Sequence, residues 1–191
     1  MKTGIDHFGI LAPFYEKFIA PKFPEKLAEL AELEPGGSLL DIGGGTGRVA
    51  NFLTGKTGWI LIADESLGML KEARKKDALE TVCVNSENLP LQGESFDRII
   101  MVDALHHVQN QGETAKELWR LVKPGGRIII EEPDIRKFAI KMVAVFEKMA
   151  LMRSHFLNAR QIEGLFEGKG AEIRSEAEGH TVWVVIEKRK A

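Results

Sequence analysis

Three consecutive glycines follow an acidic residue near the end of an apolar run, and this stretch is the part of the sequence best suited to bind a ligand. The run Leu39-Leu40-Asp41-Ile42 predicts a buried strand, and residues 43–47 read Gly-Gly-Gly-Thr-Gly. Glycines tolerate positive φ and let a ligand approach bare backbone. The helix predicted from Thr46 would add unpaired N–H groups and a partial positive charge. The stretch is therefore predicted to bind an anion or a carboxylate.

The spacing of these glycines departs from the dinucleotide-binding pattern G-x-G-x-x-G/A. Counted from Gly43, Arg48 stands where the third glycine should be, whereas a count from Gly45 gives a formal match that ends at Ala50. A second acid, Asp64, ends the next apolar run, about 20 residues beyond the glycines, where a ribose-binding acid is expected. A carboxylate at that place can accept hydrogen bonds from two vicinal hydroxyls.

Residues 39–47, which read LLDIGGGTG, resemble motif I of the class I S-adenosylmethionine (SAM)-dependent methyltransferases. The usual form of that motif is close to L-D-x-G-x-G-x-G, and in the family this loop holds the methionine part of SAM. The resemblance therefore implies cofactor contacts from Asp41, Gly43, Gly44, Gly45 and Gly47.

The residues that follow the second predicted strand also resemble the family. Residues 64–70 match its D-x-S-x-x-M-L pattern, in which the acid holds the ribose and the methionine lies near the adenine. The resemblance implies that Asp64, Glu65 and Met69 line the cofactor site, although Met69 could equally pack on a helix face. Ser66 is predicted to cap the helix that begins there.

Residues 85–91, after the third predicted strand, resemble the family's G-D-A-E-x-L-P-F segment. In the family, the aspartate accepts a hydrogen bond from the adenine amino group, and here Asn85 stands in its place with an amide oxygen that can accept the same bond. The resemblance also implies that the backbone N–H of Ser86 meets the adenine ring and that Glu87 lies at the site. The alternative is that Asn85 is only a turn residue.

Asp103, His106 and His107 follow the fourth predicted strand, residues 95–102, which begins with the family's S-F-D lead-in. In an open parallel sheet, ligands bind beyond the carboxyl ends of the strands at the switch point, so these three side chains are predicted to face the transferable methyl or its acceptor. Either histidine could take a proton near neutral pH. The family often carries A-L-H-H-V here, with one histidine that is structural or lines the cofactor pocket, so a catalytic role and these two alternatives all stay open.

Three acids, Glu131, Glu132 and Asp134, follow the fifth predicted strand, Ile128-Ile129-Ile130. They could line an acceptor pocket or repel anionic acceptors, or they could be solvated charges at the end of a strand. The residues before this strand, 122–127, are predicted to form a turn, because they contain Lys-Pro-Gly-Gly.

Two further segments are expected to complete the site. Residues 1–35 resemble the N-terminal arm of small methyltransferases, including the quinone-type branch, which implies that Tyr15 contacts the methionine end of SAM; the aromatic residues of the arm could instead cap the core. Residues 135–156 predict an amphipathic helix. In the family this segment often forms a substrate lid, but a homodimer contact or plain packing would also explain the apolar stripe. Arg153 and His155 at its end could reach an acceptor.

Strand and helix patterns alternate along the chain, which predicts an α/β fold with a doubly wound sheet. The resemblance implies a Rossmann-like, mostly parallel seven-stranded sheet that ends in an antiparallel pair, residues 171–178 and 181–188. Asn158 with Gln161 three residues later predicts a capped helix before that pair. A length of 191 residues favours a single domain, 1–191.

Composition argues against several other classes. The single Cys83 excludes an internal disulfide framework, and the five histidines lack metal-ligand spacing, so no metal is predicted. A net charge of −2 gives no global basic field for nucleic acid. No apolar run approaches the ~20 residues of a membrane span, and the N-terminus lacks a signal-peptide pattern, so a cytoplasmic protein is expected.

These patterns predict an enzyme that uses SAM as its cofactor and methylates a small-molecule acceptor, whose identity the sequence does not reveal. An NAD-dependent oxidoreductase is the rival enzyme class, because it shares the sheet and the ribose acid; the D-x-S-x-x-M-L and S-F-D segments argue against it. A non-catalytic SAM-binding partner protein is the other alternative. Its cofactor loop would be expected to decay, and the present loop is intact.

Overall fold

A computed structural model describes residues 23–135 and 155–190, and the elements named below lie in those two ranges. The strands are β1 (Ser38–Ile42), β2 (Trp59–Asp64), β3 (Glu80–Cys83), β4 (Phe96–Val102), β5 (Val122–Pro133), β6 (Ala171–Glu178) and β7 (Thr181–Lys188). The helices are α1 (Pro24–Ala31), α2 (Arg48–Leu53), α3 (Leu67–Ala73), α4 (Gln111–Leu121) and α5 (Ala159–Gly164), with a 3₁₀ turn at Leu105–His107.

The seven strands form one sheet in the order β3-β2-β1-β4-β5-β7-β6. The first five strands are parallel, whereas β7 runs antiparallel to both β5 and β6. The predicted doubly wound α/β sheet with an antiparallel terminal pair is therefore confirmed. The strand order reverses beside β1, which pairs with β2 on one side and β4 on the other, and ligands of such sheets bind beyond the carboxyl ends at this point.

Both faces of the sheet are covered by helices. Leu40, Ile99 and Ile128 belong to a core cluster that includes residues of α4, α5 and the 3₁₀ turn. Their neighbours Leu39, Ile100 and Ile129 belong to a second cluster, which includes residues of α1, α2 and α3. Adjacent residues point to opposite faces of a strand, so these unbroken apolar runs are what a parallel sheet buried on both sides requires.

The prediction of a turn over residues 122–127 is wrong, because β5 runs without a break from Val122 to Pro133. The turn residues instead form an irregularity in the pairing with β4, where Phe96 pairs with Val122 but Arg98 pairs with Arg127. Gly125 adopts φ +78° within it. A bulge accommodates the extra residues of one strand while pairing continues on either side.

The S-F-D segment ties the amino ends of β1 and β4 together. Asp97 Oδ2 accepts hydrogen bonds from Ser38 N at 2.9 Å and Ser38 Oγ at 2.7 Å, and it lies 2.8 Å from Lys123 Nζ. Desolvation would raise the pKa of Asp97, but the hydrogen bonds from Lys123 and Ser38 outweigh it and lower the pKa to about 2. This segment therefore stabilises the sheet at the end opposite to the predicted ligand site.

Several predicted features fall outside the described residues. They include Tyr15 with the rest of residues 1–22, and nearly all of the amphipathic helix predicted over 135–156, with Arg153. Within the two described ranges, no helix combines the length and the apolar character that crossing a bilayer requires.

Candidate cofactor site

Residues 43–47 form the predicted glycine loop between β1 and α2. Gly43 adopts φ +69°, and a Cβ added to it would lie 2.6 Å from Ala104 Cβ, in the segment after β4. Any other residue at this position would be strained in its backbone and would also clash with its neighbour. The helix begins at Arg48, two residues later than predicted, after Gly47 at φ +75°. The loop is thus held tightly against the end of β4.

Replacing Gly43 with alanine is expected to lower the free energy of unfolding by about 2–4 kcal/mol, since it adds a left-handed backbone penalty to a steric clash. Urea denaturation measures the change. The double variant Gly43→Ala/Ala104→Gly should recover the part that comes from the clash. Gly164→Ala is the control, because a Cβ there meets nothing within 4 Å. Equal stability of Gly43→Ala and the wild type would contradict the loop geometry.

Asp41 lies directly beneath this loop and is 1% exposed. A Cβ on Gly44 would come within 2.6 Å of Asp41 Oδ2, so the carboxylate points at the loop backbone. Among residues 23–135 and 155–190, Asp41 Oδ2 and the buried Thr46 Oγ1 have no hydrogen-bond partner. Desolvation raises the pKa of Asp41 to about 7, with Arg48 opposing the shift and Asp64 adding to it. Buried polar groups without partners are uncommon, so both atoms indicate a place for a ligand.

Asp64 connects the glycine loop to the segment after β2. Its Oδ2 accepts a hydrogen bond from Gly45 N at 2.9 Å, and its Oδ1 accepts one from Ser66 N at 2.8 Å. A Cβ on Gly45 would lie 3.9 Å from Met69 Sδ and 4.0 Å from Asp64 Oδ2. Ser66 caps α3 by accepting from Met69 N at 3.2 Å, as predicted. The structure thus brings Gly45, Asp64 and Met69 together at the carboxyl ends of β1 and β2.

Asn85 follows β3 and lies beside Glu65, which follows β2. Its Nδ2 donates to the Glu65 carboxylate, and its Oδ1 accepts from Glu87 N at 2.7 Å. Asn85 is therefore a turn residue, as one interpretation held, and it also stands at the strand end where the cofactor site is predicted. The bond to Glu65 fixes which side of the amide carries the oxygen.

Ser86 and Glu87 are turned towards the beginning of α4. Ser86 Oγ lies 3.1 Å from Thr114 Oγ1, and Glu87 Oε1 accepts a hydrogen bond from Asn110 N at 2.9 Å. The carboxylate of Glu87 thereby helps to begin the helix, where Asn110 is the capping residue. This contact of the Glu87 side chain joins residues that are 23 positions apart, so no local pattern in the sequence indicates it.

Asp103 is the first residue after β4 and adopts a left-handed conformation, with φ +50°. Its Oδ2 lies 3.4 Å from Arg48 Nη2, which links the segment after β4 to the first turn of α2. Its N–H donates to the Glu131 carbonyl at 2.9 Å. Left-handed backbone at a residue other than glycine is strained, and such residues cluster at functional sites.

The two histidines differ in their surroundings. His106 is 5% exposed, whereas His107 is exposed. Desolvation by the surrounding protein, with an electrostatic effect of the neighbouring His106 as the second cause, lowers the pKa of His107 to about 4. His107 is accordingly neutral at pH 7.

The three acids predicted to follow the fifth strand are not solvated charges: Glu131 and Glu132 lie within β5, Asp134 follows it, and all three are buried. Glu131 Oε2 accepts a hydrogen bond from Trp183 Nε1 at 2.8 Å on one face of the sheet. On the other face, Glu132 Oε2 lies 2.6 Å from His106 Nδ1. The sequence indicates Glu132 and His106 separately but contains no signal for their contact, which depends on the pairing of β4 with β5.

Taken together, the strand order and the antiparallel end of the sheet are those of a Rossmann-like methyltransferase fold, in which ligands bind in the crevice beyond the carboxyl ends of the parallel strands. Along the carboxyl ends of the parallel strands lie the glycine loop, Asp41, Asp64, Glu65, Met69, Asn85, Ser86 and Glu87, followed by Asp103, His106 and His107.

Comparison with known proteins agrees with this fold. Residues 40–130 match the family model described as "Methyltransferase domain". The ubiquinone/menaquinone biosynthesis C-methyltransferase UbiE of Pseudomonas putida (strain GB-1) is 34% identical, in a match that covers 54% of this chain and 44% of that protein. The chain thus spans less than half the length of this curated relative.

Solved structures match nearly the whole chain. A SAM-dependent methyltransferase from Thermotoga maritima, described as a possible histamine N-methyltransferase, is 25% identical with a TM-score of 0.75; the match covers 95% of this chain and 98% of that one. The protein bound to the Haloferax volcanii Trm112 methyltransferase activator has a TM-score of 0.82 at 16% identity, covering 98% of this chain and all (100%) of that one. At 16% identity, the match to the protein bound to Trm112 shows only that the fold is shared.

The motifs predict a class I SAM-dependent methyltransferase, and the family model, the UbiE relative and the Thermotoga maritima structure agree with that prediction; SAM is the cofactor of that family. These matches favour the methyltransferase prediction over an NAD-dependent oxidoreductase.

Proposed function

We propose that this chain binds SAM along the carboxyl ends of β1, β2 and β3 and transfers its methyl group to a small-molecule acceptor. The observation that carries the proposal is the buried Asp41 carboxylate beneath the glycine loop, with Oδ2 unpaired among the described residues. The amino-acid end of SAM carries an ammonium group, which supplies the charge and the donors that a buried carboxylate lacks.

The other residues of the crevice fit the remaining parts of SAM. Glycines 43, 44, 45 and 47 leave backbone bare for the methionine part, and Asp64 suits the two ribose hydroxyls. Met69 offers an apolar surface to the adenine. Asn85 presents its amide oxygen to the adenine amino group, because the contact with Glu65 occupies the amide nitrogen. The proposed adenine position is also bordered by Glu65, Ser86 and Glu87, which are held there by hydrogen bonds to neighbouring residues.

When bound, SAM supplies an electrophilic methyl group on its sulfonium sulfur. The chain contributes position and exclusion of water, which are the main requirements of an in-line methyl transfer. Asp103, His106 and His107 stand where the methyl group and its acceptor would meet. His107 is a weak base at neutral pH, because its pKa lies below the ordinary value. His106 is therefore the better candidate for accepting a proton from the acceptor.

Residues 1–35 and 135–156 are proposed to cover the cofactor and the acceptor and to complete one domain, with Tyr15 and Arg153 as contacts. His155 lies in the described part, where its side chain is exposed and its backbone N–H donates to His106 O at 2.7 Å. A homodimer and a cytoplasmic location stay predictions.

Calorimetric titration tests the proposal. SAM and its demethylated product, S-adenosylhomocysteine, should each bind with one site per chain, and NAD should not bind. Radiolabelled SAM is then assayed with a quinol lacking its ring methyl and with histamine, the acceptor types that the names of two relatives indicate. Binding of NAD without binding of SAM would contradict the proposal.

A further inference from the structure

The buried carboxylate of Glu132 is the centre of a hydrogen-bond network around the turn that follows β4. Its Oε1 accepts hydrogen bonds from Ala104 N at 3.1 Å and Leu105 N at 2.8 Å. Its Oε2 lies 2.6 Å from His106 Nδ1, and Glu132 is 2% exposed. One side chain on β5 therefore holds three successive residues of the turn.

The contact with Glu132 decides where the proton of His106 lies. A carboxylate has acceptors only, so a short contact between Glu132 Oε2 and Nδ1 requires the hydrogen on Nδ1. In the neutral imidazole the lone pair is then on Nε2. A partner that holds one ring nitrogen in this way fixes both the tautomer and the orientation of the ring.

Two neighbouring rings also contact the ring of His106. Phe156 stacks on it with the two ring centroids 4.3 Å apart and an angle of 13° between the planes, and the ring of His107 lies 4.0 Å away. Gln111 Nε2 donates to both Leu105 O and His155 O, at 3.0 and 2.7 Å. The returning chain at residues 155–156 is thereby fastened to the same turn.

This turn packs against the glycine loop. Ala104, whose N–H is bound by Glu132, is the residue that a Cβ on Gly43 would touch at 2.6 Å. Asp103, immediately before it, is held at φ +50°. Removal of the Glu132 carboxylate would therefore loosen a segment that borders the cofactor loop directly.

We propose that Glu132 is a positioning residue for methyl transfer, which holds the turn after β4 and keeps His106 in the tautomer with its proton on Nδ1 and its accepting lone pair on Nε2. The claim about the tautomer of His106 concerns only the ring and its proton. The claim that this tautomer serves methyl transfer rests on the proposed function.

The tautomer is tested by ¹⁵N chemical shifts of the histidine rings at pH 7. The wild type is expected to show His106 protonated on Nδ1 only, a result that needs no variant. In Glu132→Gln, the amide oxygen can still accept from the two backbone N–H groups while the amide nitrogen donates to Nδ1, so the proton should move to Nε2. Glu131→Gln, at a buried acid on the opposite face, should leave the tautomer unchanged. A doubly protonated wild-type ring, or the same tautomer in Glu132→Gln, would overturn the proposal.

The link to catalysis is tested on Glu132→Gln with the acceptor that the wild type methylates. The dissociation constant for SAM should stay within about twofold, since no cofactor contact is removed, while kcat falls by about 100-fold, the typical contribution of a positioned base. An unchanged kcat would overturn the link. Failure of the wild type to bind SAM would instead count against the proposed function, and the ring shifts would be unaffected by that result.

Discussion

Replacing Asp64 with alanine should weaken SAM binding by about 10- to 150-fold, because hydrogen bonds to a charged group contribute about 1.5–3 kcal/mol. The substitution removes the proposed ribose acceptors. It also removes the bonds that hold Gly45 N and Ser66 N, at 2.9 and 2.8 Å, so the loop loses part of its preorganisation. Isothermal titration of SAM into both proteins measures the effect directly.

Two further variants separate the causes of this loss. Asp64→Asn keeps one oxygen acceptor and should give an intermediate affinity. Asp77→Ala removes the same charge from an exposed position in the turn after α3 and should bind SAM like the wild type. Unchanged SAM affinity in Asp64→Ala would show that the ribose does not lie on this residue.

The buried Asp41 should make both folding and cofactor binding depend on pH. Its pKa is raised from an ordinary 3.8 to about 7 in the folded protein. The folded state then holds this proton more tightly than the unfolded state. The stability that Asp41 contributes through this proton is fully present below pH ~4 and is lost as the pH rises to ~7. At about 1.4 kcal/mol per pKa unit, the loss is at most about 4 kcal/mol.

Asp41→Asn removes this titration, so the difference in unfolding free energy between the variant and the wild type isolates it. The unliganded variant should become the more stable protein as the pH rises from about 4 to about 7. Asp97, whose pKa is lowered to about 2, titrates in a separate and more acidic window. A difference that stays constant over this range would mean that Asp41 keeps its ordinary pKa.

Binding of SAM should lower the pKa of Asp41, because a neighbouring ammonium group favours the charged carboxylate. SAM affinity of the wild type is then expected to rise by up to about tenfold per pH unit between pH 5.5 and 7, with release of a proton. Asp41→Asn should bind SAM weakly and without this pH dependence. Calorimetry in buffers of different ionisation enthalpy measures the released proton, and the absence of release would contradict the assignment.

Features that depend on neighbouring residues could be predicted from the sequence. The glycine loop, the Ser66 cap of α3 and the capping box of Asn158 and Gln161 are each written within a few residues, and the structure contains all three. The predicted sheet follows from alternation of apolar strands and amphipathic helices. Its antiparallel end required the family resemblance, because strand composition alone does not fix direction.

Contacts that depend on strand register could not be predicted in this way. His106 and Glu132 are 26 residues apart, and Arg48 and Asp103 are 55 apart. Each pair meets only because parallel strands bring their carboxyl ends to one edge. The burial of Glu131, Glu132 and Asp134 could not be predicted for the same reason, since a charged residue beside an apolar run ordinarily indicates exposure.

A crystal structure of the complex with S-adenosylhomocysteine tests the central claim most directly. The ligand should lie across the carboxyl ends of β1 and β2, with its amino-acid end at glycines 43–47 above Asp41 and its sugar hydroxyls within hydrogen-bond distance of Asp64. A complex in which this crevice is empty and the nucleoside occupies another part of the protein would contradict the cofactor site and the function proposed from it.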